Sequence, residues 1–377
     1  MENKYFDHAA TTAVREGVIK EMIPYMGVEY GNPSSVYSLG RKNRKVVENA
    51  RAKVAQIINS NKNEIYFTSC GSESDNLAIK GIMFANKFKG NHMITTKIEH
   101  PAILNTCKWL ERNGFEVTYL NVDENGKISL EELKQSIKSN TALISIMFAN
   151  NEIGTIQPIQ EIGKIAKSKG IIFHTDAVQA MGNIKIDVKA LNIDALSMSA
   201  HKFYGPKGVG ALYIKEGIRF ESIQTGGHQE KNKRAGTENV AGIVGLAKAL
   251  ELIYNDFETY NKNLLSLRNY YIDLIEQNIE NVHLNGDRLD RLPGNANISF
   301  KGIDASELLL YLDQFGICAS AGSACTSGSL EPSHVLVAIG LKSDYIQGAL
   351  RTSFGRENTK KDIEFLVNCI KKYINSK

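Results

Sequence analysis

The sequence has no apolar run long enough to cross a bilayer, and its first residues do not join a basic segment to an apolar one. A membrane-spanning helix needs about 20 largely apolar residues, and a secretion signal needs such a start. We therefore expect no membrane segment and a cytoplasmic location. Pro-rich linkers, low-complexity tracts and internal repeats are also missing, so composition alone marks no domain boundary.

Cysteine is scarce as well, and the five cysteines, at positions 70, 107, 318, 325 and 369, form no C-x-x-C pair. This number and spacing disfavour a disulfide framework and a zinc site, and they suit free thiols in a reducing compartment. The sequence also lacks the H-E-x-x-H, Walker A and G-x-G-x-x-G motifs. Zinc-protease and nucleotide-binding functions therefore have little support.

The net charge of +4 is small, and the basic residues are spread along the 377-residue chain. The basic runs at 41–44 and 371–372 are short and fall within helical periodicity, which is typical of a solvated helix face. We therefore expect no direct binding to nucleic acid. Apolar residues at 42% and charged residues at 23% are ordinary for a globular chain, and the length suffices for two domains.

Helix-like and strand-like segments alternate through the first half of the chain. This alternation predicts an α/β fold with a mostly parallel sheet covered by helices. Ligands of such sheets bind at the carboxyl ends of the strands. The predicted strands are Glu64–Thr68, His92–Thr96, Phe115–Leu120, Ala142–Met147, Ile171–Thr175, Ala195–Ser199 and Gly210–Ile214.

A single helical pattern runs from Val240 to about Glu276, and a second mixed region of strands and helices follows it. We place a domain boundary near residue 258. Residues 13–258 would form the large sheet domain. Residues 1–12 and 259–377 would form a smaller α+β domain that carries a loop of small residues around Cys325.

Lys202 and Asp176 are the first pair of candidate catalytic residues. Lys202 follows a predicted strand and precedes a glycine-rich turn, where partial desolvation can make its amine a nucleophile towards an aldehyde. Asp176 ends the preceding strand, where a carboxylate can pair with a protonated pyridine nitrogen. Taken singly, Lys202 also suits a surface hairpin and Asp176 a helix cap.

Two further strand ends carry candidate binding residues. The segment from Ser69 to Ser74 includes Gly71 and Ser72 and opens a helix, so its free N–H groups and hydroxyls suit a phosphate. A simple capping box explains the same residues. His100 follows another strand and could stack on a cofactor ring and move protons, although a lone histidine is also common in structural roles.

The run from Ser320 to Ser329 consists of small residues and one thiol, that of Cys325. Such small, polar surroundings cannot form an apolar core, so a buried structural cysteine is disfavoured. An accessible thiol on such a loop could reach a substrate and then a partner.

Together these segments resemble the NifS/IscS family of cysteine desulfurases, which are fold-type I pyridoxal-phosphate enzymes related to class V aminotransferases. The resemblance covers nearly the whole chain. It rests on 6–12 (FDHAATT), 31–35 (GNPSS), 73–76 (ESDN), 150–154 (NNEIG), 201–202 (HK), 234–239 (RAGTEN), 322–325 (GSAC) and 351–356 (RTSFGR).

The resemblance implies a role for each candidate residue. Lys202 would bond the cofactor covalently, Asp176 would bind the pyridine nitrogen, and His100 would stack on the ring. Cys325 would accept the sulfur of L-cysteine as a persulfide, releasing alanine. The phosphate would be held by Gly71, Ser72, Ser199 and His201, with Thr237 from the other subunit of a homodimer; Gln179 and Asn151 would contact the ring hydroxyl side, and Arg351 with Asn32 and Asn151 would hold the substrate.

Small departures from the family pattern accompany this resemblance. Ser72 stands where threonine is usual but keeps the hydroxyl, Cys70 stands where glycine is usual, and Cys318 lies shortly before the loop. We interpret Cys70 and Cys318 as small packing residues rather than oxidation-prone thiols. The loop around Cys325 matches the longer-loop group that includes NifS and IscS.

Several alternatives stay open on the sequence alone. A selenocysteine lyase or a class V aminotransferase would share the fold, although an aminotransferase has no need of the Cys325 thiol. A sulfur-assembly scaffold without catalysis is a further alternative. The acceptor would be an iron–sulfur scaffold or a tRNA-thiolation enzyme, and a transient iron–sulfur ligand role for Cys325 also stays open.

Overall fold

The computed structural model describes residues 3–321 and 332–377. Its larger sheet has seven strands in the order β2-β8-β7-β6-β5-β3-β4. These strands are β2 (Ile65–Thr68), β3 (His92–Thr96), β4 (Glu116–Leu120), β5 (Thr141–Ser145), β6 (Ile172–Asp176), β7 (Ala195–Ser199) and β8 (Gly210–Ile214). The five strands from β7 to β4 are parallel, and β8 runs antiparallel to both β7 and β2. The predicted mostly parallel α/β sheet is confirmed.

Successive residues of the central strands enter two different apolar clusters, because side chains alternate between the faces of a sheet. On β6, for example, Ile172 packs in one cluster and Phe173 in the other. Ala195 and Leu196 on β7 divide in the same way. Both faces of the sheet are therefore covered, which explains why these strands are almost continuously apolar in sequence.

The helices that cover the sheet and complete the fold vary widely in length. They are α1 (Glu16–Met26), α2 (Ser38–Ile57), α3 (Gly71–Ala85), α4 (Pro101–Arg112), α5 (Leu130–Ser136), α6 (Ile159–Lys169), the one-turn segment α7 (Gln229–Asn232), α8 (Val240–Tyr254), α9 (Phe257–Asn278), α10 (Ala305–Asp313), α11 (His334–Ala338), α12 (Ser343–Ile346) and α13 (Lys360–Asn375). Within the described ranges, no helix has both the length and the apolar character that crossing a membrane requires.

A second, four-stranded sheet lies in the C-terminal part, in the order β12-β13-β10-β9, and a short pair of strands adjoins it. The strands of this region are β1 (Lys4–Tyr5), β9 (Val282–Leu284), β10 (Asn295–Phe300), β11 (Ile317–Cys318), β12 (Ser320–Ala321) and β13 (Ala349–Ser353). β1 pairs in parallel with β11, and Asp7 forms a bridge with Ser353. These pairings favour grouping residues 1–12 with 259–377, and the division at residue 258 stays a prediction.

The prediction of one long helix from Val240 to Glu276 is wrong. The structure breaks it at Asn255 and Asp256, where Asp256 leaves the helical conformation with φ −125° and ψ 24°. Asn and Asp compete with helical hydrogen bonding, and the Asp256 carboxylate pairs with Arg356 at 3.0 Å. The apolar pattern continues across this break, so periodicity alone could not reveal it.

A buried ion pair secures the turn that follows the large sheet. The Glu230 carboxylate in α7 accepts hydrogen bonds from Nη1 and Nη2 of Arg51, at 2.7 and 2.8 Å. It also accepts the backbone N–H of Phe67 at 2.9 Å. Glu230, Lys231 and Asn232 all have positive φ, a costly backbone conformation for residues other than glycine. The pair between Arg51 and Glu230 therefore helps to hold a strained turn in place.

We predict that Glu230→Gln lowers the free energy of unfolding by about 3 kcal/mol, because it leaves the buried Arg51 guanidinium with only the partly exposed Glu48 carboxylate as a counter-charge. Urea denaturation measures this change. The matched control is Glu258→Gln, because the Glu258 side chain is 81% exposed in its pair with Lys185. That control should change stability by less than about 0.5 kcal/mol. Equal effects in the two variants would contradict the role of the buried pair.

Candidate active site

The predicted site residues gather at one edge of the large sheet, where β3, β5, β6 and β7 all end. Lys202 closes a short 3-10 turn, Ala200–Lys202, directly after β7. Its Nζ donates hydrogen bonds to the carbonyl oxygens of Ala9 and Ala10, at 2.6 and 2.8 Å. The lysine amine therefore lies between the strand ends and the N-terminal segment.

Asp176 is the last residue of β6 and is only 7% exposed. Its carboxylate accepts the N–H of Val178 at 2.9 Å, which fixes its orientation. Burial raises the pKa of Asp176, while the nearby His100 and Lys202 oppose that rise. A buried carboxyl group in this position gains from a cationic partner, as the sequence predicted.

A hydrogen-bonded network lies on the same face of the sheet as Asp176. His174, two residues earlier on β6, bonds Ser145 on β5 at 2.9 Å and Ser197 on β7 at 3.0 Å. Burial lowers the pKa of His174 to about 3, so the imidazole is neutral. Asp75, from α3, lies 3.8 Å from the same ring, and burial and the Asp176 carboxyl raise the pKa of Asp75.

His100 is the N-cap of α4, and its Nδ1 accepts the N–H of Ala102 at 3.1 Å. The proton of the neutral ring therefore sits on Nε2. Burial lowers the pKa of His100, and so does the charge of Lys202, whereas Asp176 acts in the opposite direction. The mutual influence of these three groups agrees with the predicted clustering of His100, Asp176 and Lys202.

The start of α3 lies beside the end of β7. A Cβ placed on Gly71 would come within 2.6 Å of Val178 and 3.5 Å of Ser199, so only glycine permits this close approach. The Cys70 side chain does not cap the helix, and Ser72 is exposed. The first-turn N–H groups and the Ser72 hydroxyl therefore remain suited to an anion.

His201, Gln179 and Asn151 surround the same edge of the sheet. His201 Nδ1 bonds the hydroxyl of Thr11 at 3.1 Å, and burial lowers the pKa of His201 to about 4. Gln179 Nε2 donates to the Ala9 carbonyl at 3.0 Å. The backbone carbonyl of Asn151 accepts from Arg351 at 3.2 Å.

Arg351 on β13 is 1% exposed and forms an ion pair with Asp7, with Nη2 and Oδ1 2.7 Å apart. Its Nε is buried without a hydrogen-bond partner. Asp7 also accepts the Ser320 hydroxyl at 2.8 Å. A guanidinium group in this setting suits a carboxylate ligand.

The contribution of the N-terminal segment 6–12 could not be predicted from the sequence, where it is only a family motif. In the structure, Asp7 contacts Arg351. The backbone carbonyls of Ala9 and Ala10 accept hydrogen bonds from Lys202, and that of Ala9 also accepts from Gln179. The sequence gives no signal for the Asp7 contact, because Asp7 and Arg351 are 344 positions apart.

Three predicted residues are not joined to this cluster by the contacts described above. Asn32 is exposed, and its side chain accepts the N–H of Ser34 at 2.8 Å. Thr237 is also exposed, on the loop before α8. Cys325 lies outside the described residues. Its described neighbours are anchored near the site, since Ser333 donates to Glu152 at 2.6 Å.

The donor set fits pyridoxal phosphate. The start of α3, with Gly71 and Ser72, suits the phosphate, and the Asp176 carboxylate suits a protonated ring nitrogen. The Lys202 amine suits the aldehyde, and the His100 ring lies close enough to these groups to influence them electrostatically. The phosphate, the ring nitrogen and the aldehyde of the cofactor thus each have a chemically matched candidate partner at this edge.

Comparisons with known proteins agree with this geometry. A family model described as Aminotransferase class-V matches residues 4–366. Cysteine desulfurase IscS of Clostridium botulinum is 56% identical over 372 residues, covering 98% of this chain and 94% of the relative. A solved NifS-like protein superimposes with a TM-score of 0.94 at 37% identity, over the whole of both chains. SspA, solved in complex with cysteine, has a TM-score of 0.81 at 36% identity, covering 94% of this chain and all of SspA.

The chain therefore belongs to the class-V aminotransferase family, whose cysteine desulfurase members use pyridoxal phosphate. Within that family it is a cysteine desulfurase of the NifS/IscS type. The predicted fold, enzyme class and cofactor are confirmed.

We predict that His174→Gln flattens the dependence of stability on pH. The pKa of His174 is lowered from 6.5 to about 3 in the folded protein, so the unfolded state binds the extra proton as pH falls through this window. Below pH 6, this proton uptake lowers the free energy of unfolding of the native protein by about 1 kcal/mol for each pH unit. The variant lacks this contribution of His174, so its stability falls less. Urea denaturation between pH 7 and pH 5 measures the difference, with the exposed His228→Gln as the control. If the free energy of unfolding depends on pH in the same way in the native protein and in His174→Gln, the lowered pKa of His174 is contradicted.

Proposed function

We propose that Lys202, Asp176, His100 and Cys325 carry the desulfurase reaction on L-cysteine. Lys202 bonds the cofactor, Asp176 binds the ring nitrogen, and His100 stacks on the ring. The observation that supports this most directly is that β3, β6 and β7 bring His100, Asp176 and Lys202 to one sheet edge, where each affects the ionisation of another.

Further residues complete the proposed site. The phosphate is held by the start of α3 and the end of β7, and Arg351 binds the substrate carboxylate. The remaining assignments are Gly71, Ser72, Ser199, His201 and Thr237 at the phosphate, Gln179 and Asn151 at the ring hydroxyl side, and Asn32 and Asn151 beside Arg351.

The chain's own residues then divide the chemistry between two nucleophiles. Pyridoxal phosphate, when bound, supplies an aldehyde that joins amines and a ring that withdraws electrons. The Lys202 amine removes the α-proton of the substrate and can return a proton to carbon. The Cys325 thiolate attacks the substrate sulfur, so that an S–S bond forms while the C–S bond breaks and its electron pair stays with the substrate carbon. Protonation of that carbon gives alanine.

Chain connectivity supports the assignment of Cys325. Ser320, five positions earlier, contacts Asp7, which in turn contacts Arg351. Five residues extend to at most about 17 Å, so chain length alone keeps the Cα atom of Cys325 within that distance of the Cα atom of Ser320. The run of small residues around Cys325 in the sequence suits a thiol that meets first a substrate and then an acceptor.

We further propose that the persulfide passes to an acceptor protein in the cytoplasm, either an iron–sulfur scaffold or a tRNA-thiolation enzyme. The name cysteine desulfurase of the relatives, and the position of Cys325 in a run of small residues, support transfer of the sulfur to a partner. The two acceptors differ in identity but not in the sulfur chemistry that Cys325 performs. A transient role for Cys325 as an iron–sulfur ligand belongs to the same proposal.

The protein is proposed to act as a homodimer. Large apolar side chains are exposed along α1 and the segment after it, and single residues there reach 77% and 82% exposure, at Tyr30 and Val36. Several large exposed apolar side chains within one stretch of chain suit an interface between subunits. The patch consists of Ile19, Ile23, Met26, Val28, Tyr30, Val36 and Tyr37.

The first test is Cys325→Ser, because it separates a desulfurase from an aminotransferase of the same fold. A hydroxyl is far less nucleophilic towards sulfur than a thiolate, so alanine release from L-cysteine should fall by orders of magnitude. The spectral change of the cofactor on adding L-cysteine should persist. Mass spectrometry of the native enzyme should find one added sulfur on the Cys325 peptide.

The matched control is Cys318→Ser, which removes a half-buried thiol a few residues away. This variant should keep most of the native rate. Native rates of alanine release in Cys325→Ser would contradict the persulfide mechanism.

The second test addresses the dimer. Tyr30→Glu places a charge on the apolar patch and should shift the protein towards monomers in sedimentation velocity, with weaker retention of the cofactor. Leu289→Glu is the control, because Leu289 is 84% exposed outside the patch. A dimer of unchanged stability in Tyr30→Glu would argue against this surface.

A further inference from the structure

The ion pair between Asp7 and Arg351 occupies the group that the proposed function assigns to the substrate carboxylate. Asp7 Oδ1 lies 2.7 Å from Nη2 of Arg351, and the Asn151 carbonyl lies 3.2 Å from Nη1. The Arg351 side chain is 2% exposed and that of Asp7 is 15% exposed. An incoming carboxylate therefore meets a guanidinium group that already has an anionic partner.

The chemistry of the two carboxylates is the same. A free amino acid approaching Arg351 offers the same pair of oxygens that Asp7 already presents. Two carboxylates that share one guanidinium repel each other, and the shared cation can neutralise only one of them. A carboxylate that binds Arg351 while Asp7 stays in place is therefore held less tightly, and full neutralisation of the substrate charge requires the contact with Asp7 to lengthen or break.

The second oxygen of Asp7 is also in use. Asp7 Oδ2 accepts the hydroxyl of Ser320, and Ser320 is the register partner of Arg351 between β12 and β13. The Asp7 carboxylate thus bridges two neighbouring strands, β12 and β13. This bridge holds Asp7 in a defined position beside Arg351.

We propose that Asp7 is an internal competitor of the substrate carboxylate at Arg351 and sets the affinity of the enzyme for its amino-acid substrate and product. This inference rests on the proposed role of Arg351. Its consequence is that the native protein binds amino acids more weakly than the guanidinium alone would allow. Weak binding of alanine favours product release after each turnover.

The experiment compares the holoenzyme with its Asp7→Asn variant. The amide is neutral, so it competes less well, and the dissociation constant of L-alanine should fall about tenfold, the effect of one charge-assisted hydrogen bond. The KM for L-cysteine should fall with it. Calorimetric titration measures alanine binding, and L-alanine should raise the melting temperature more in the variant than in the native enzyme.

Three controls make the result specific to the contact with Arg351. Ethylamine lacks a carboxylate, so its binding should be the same in both proteins. Asp362→Asn removes a nearby carboxylate that pairs with Lys4 instead, and it should leave alanine binding unchanged. In an Arg351→Gln background, Asp7→Asn should no longer change alanine binding.

A second variant tests the same contact from the other side. Ser320→Ala removes the hydrogen bond that holds Asp7, and it should tighten alanine binding about threefold.

Each remaining outcome decides against the proposal. Weaker or unchanged alanine binding in both Asp7→Asn and Ser320→Ala would mean that Asp7 positions Arg351 or plays no part in binding. Tighter binding that persists in the Arg351→Gln background would place the effect elsewhere. If Arg351→Gln alone leaves alanine and cysteine binding intact, the proposed role of Arg351 itself fails, and this result is obtained independently of Asp7.

Discussion

Burial of the Asp176 carboxyl group is the constraint around which the site is organised. A carboxyl group that is 7% exposed ionises only if cations or hydrogen-bond donors compensate for the lost water. The structure supplies Val178 N–H directly and the charges of His100 and Lys202 nearby. On the same face of the sheet, the neutral His174 imidazole forms hydrogen bonds with two serine hydroxyls and adds no positive charge. In the proposed site, a protonated ring nitrogen of the cofactor would supply a further cation, which would tie cofactor binding to the fold.

The N-terminal segment connects this centre to the second sheet. Its backbone carbonyls at Ala9 and Ala10 receive the Lys202 amine, and the Asp7 side chain receives Arg351. The proposed cofactor end and the proposed carboxylate end of the site are thus joined by a few consecutive residues. A displacement of this segment would alter both ends together, so its parallel pairing with β11 matters for function as well as for stability.

Local sequence was sufficient to predict most of the secondary-structure elements and the residues at the ends of the large sheet's strands. Lys202, Asp176 and His100 could be predicted because each follows a short apolar strand, and parallel strands end at the same edge. The contact between Asp7 and Arg351 could not, since it depends on the packing of segments 344 positions apart. The break at Asn255 and Asp256 was also missed, because two polar residues interrupt the helix without interrupting its apolar pattern. The roles of Asn32, Thr237 and Cys325 come from the family resemblance and stay predictions.

Lys4 pairs with Ile317, and Asp7 forms a bridge with Ser353. These contacts also affect how the chain reaches its native state. Contacts between the two ends of a chain close large loops and form late, because their entropic cost precedes their stabilisation. During synthesis, the seven-stranded sheet can assemble while the C-terminal strands are still absent. Arg351 lies on β13, downstream of all seven strands of the large sheet, so this sheet can fold before Arg351 has been made. The proposed amino-acid site, which needs both Asp7 and Arg351, therefore forms later than the large sheet.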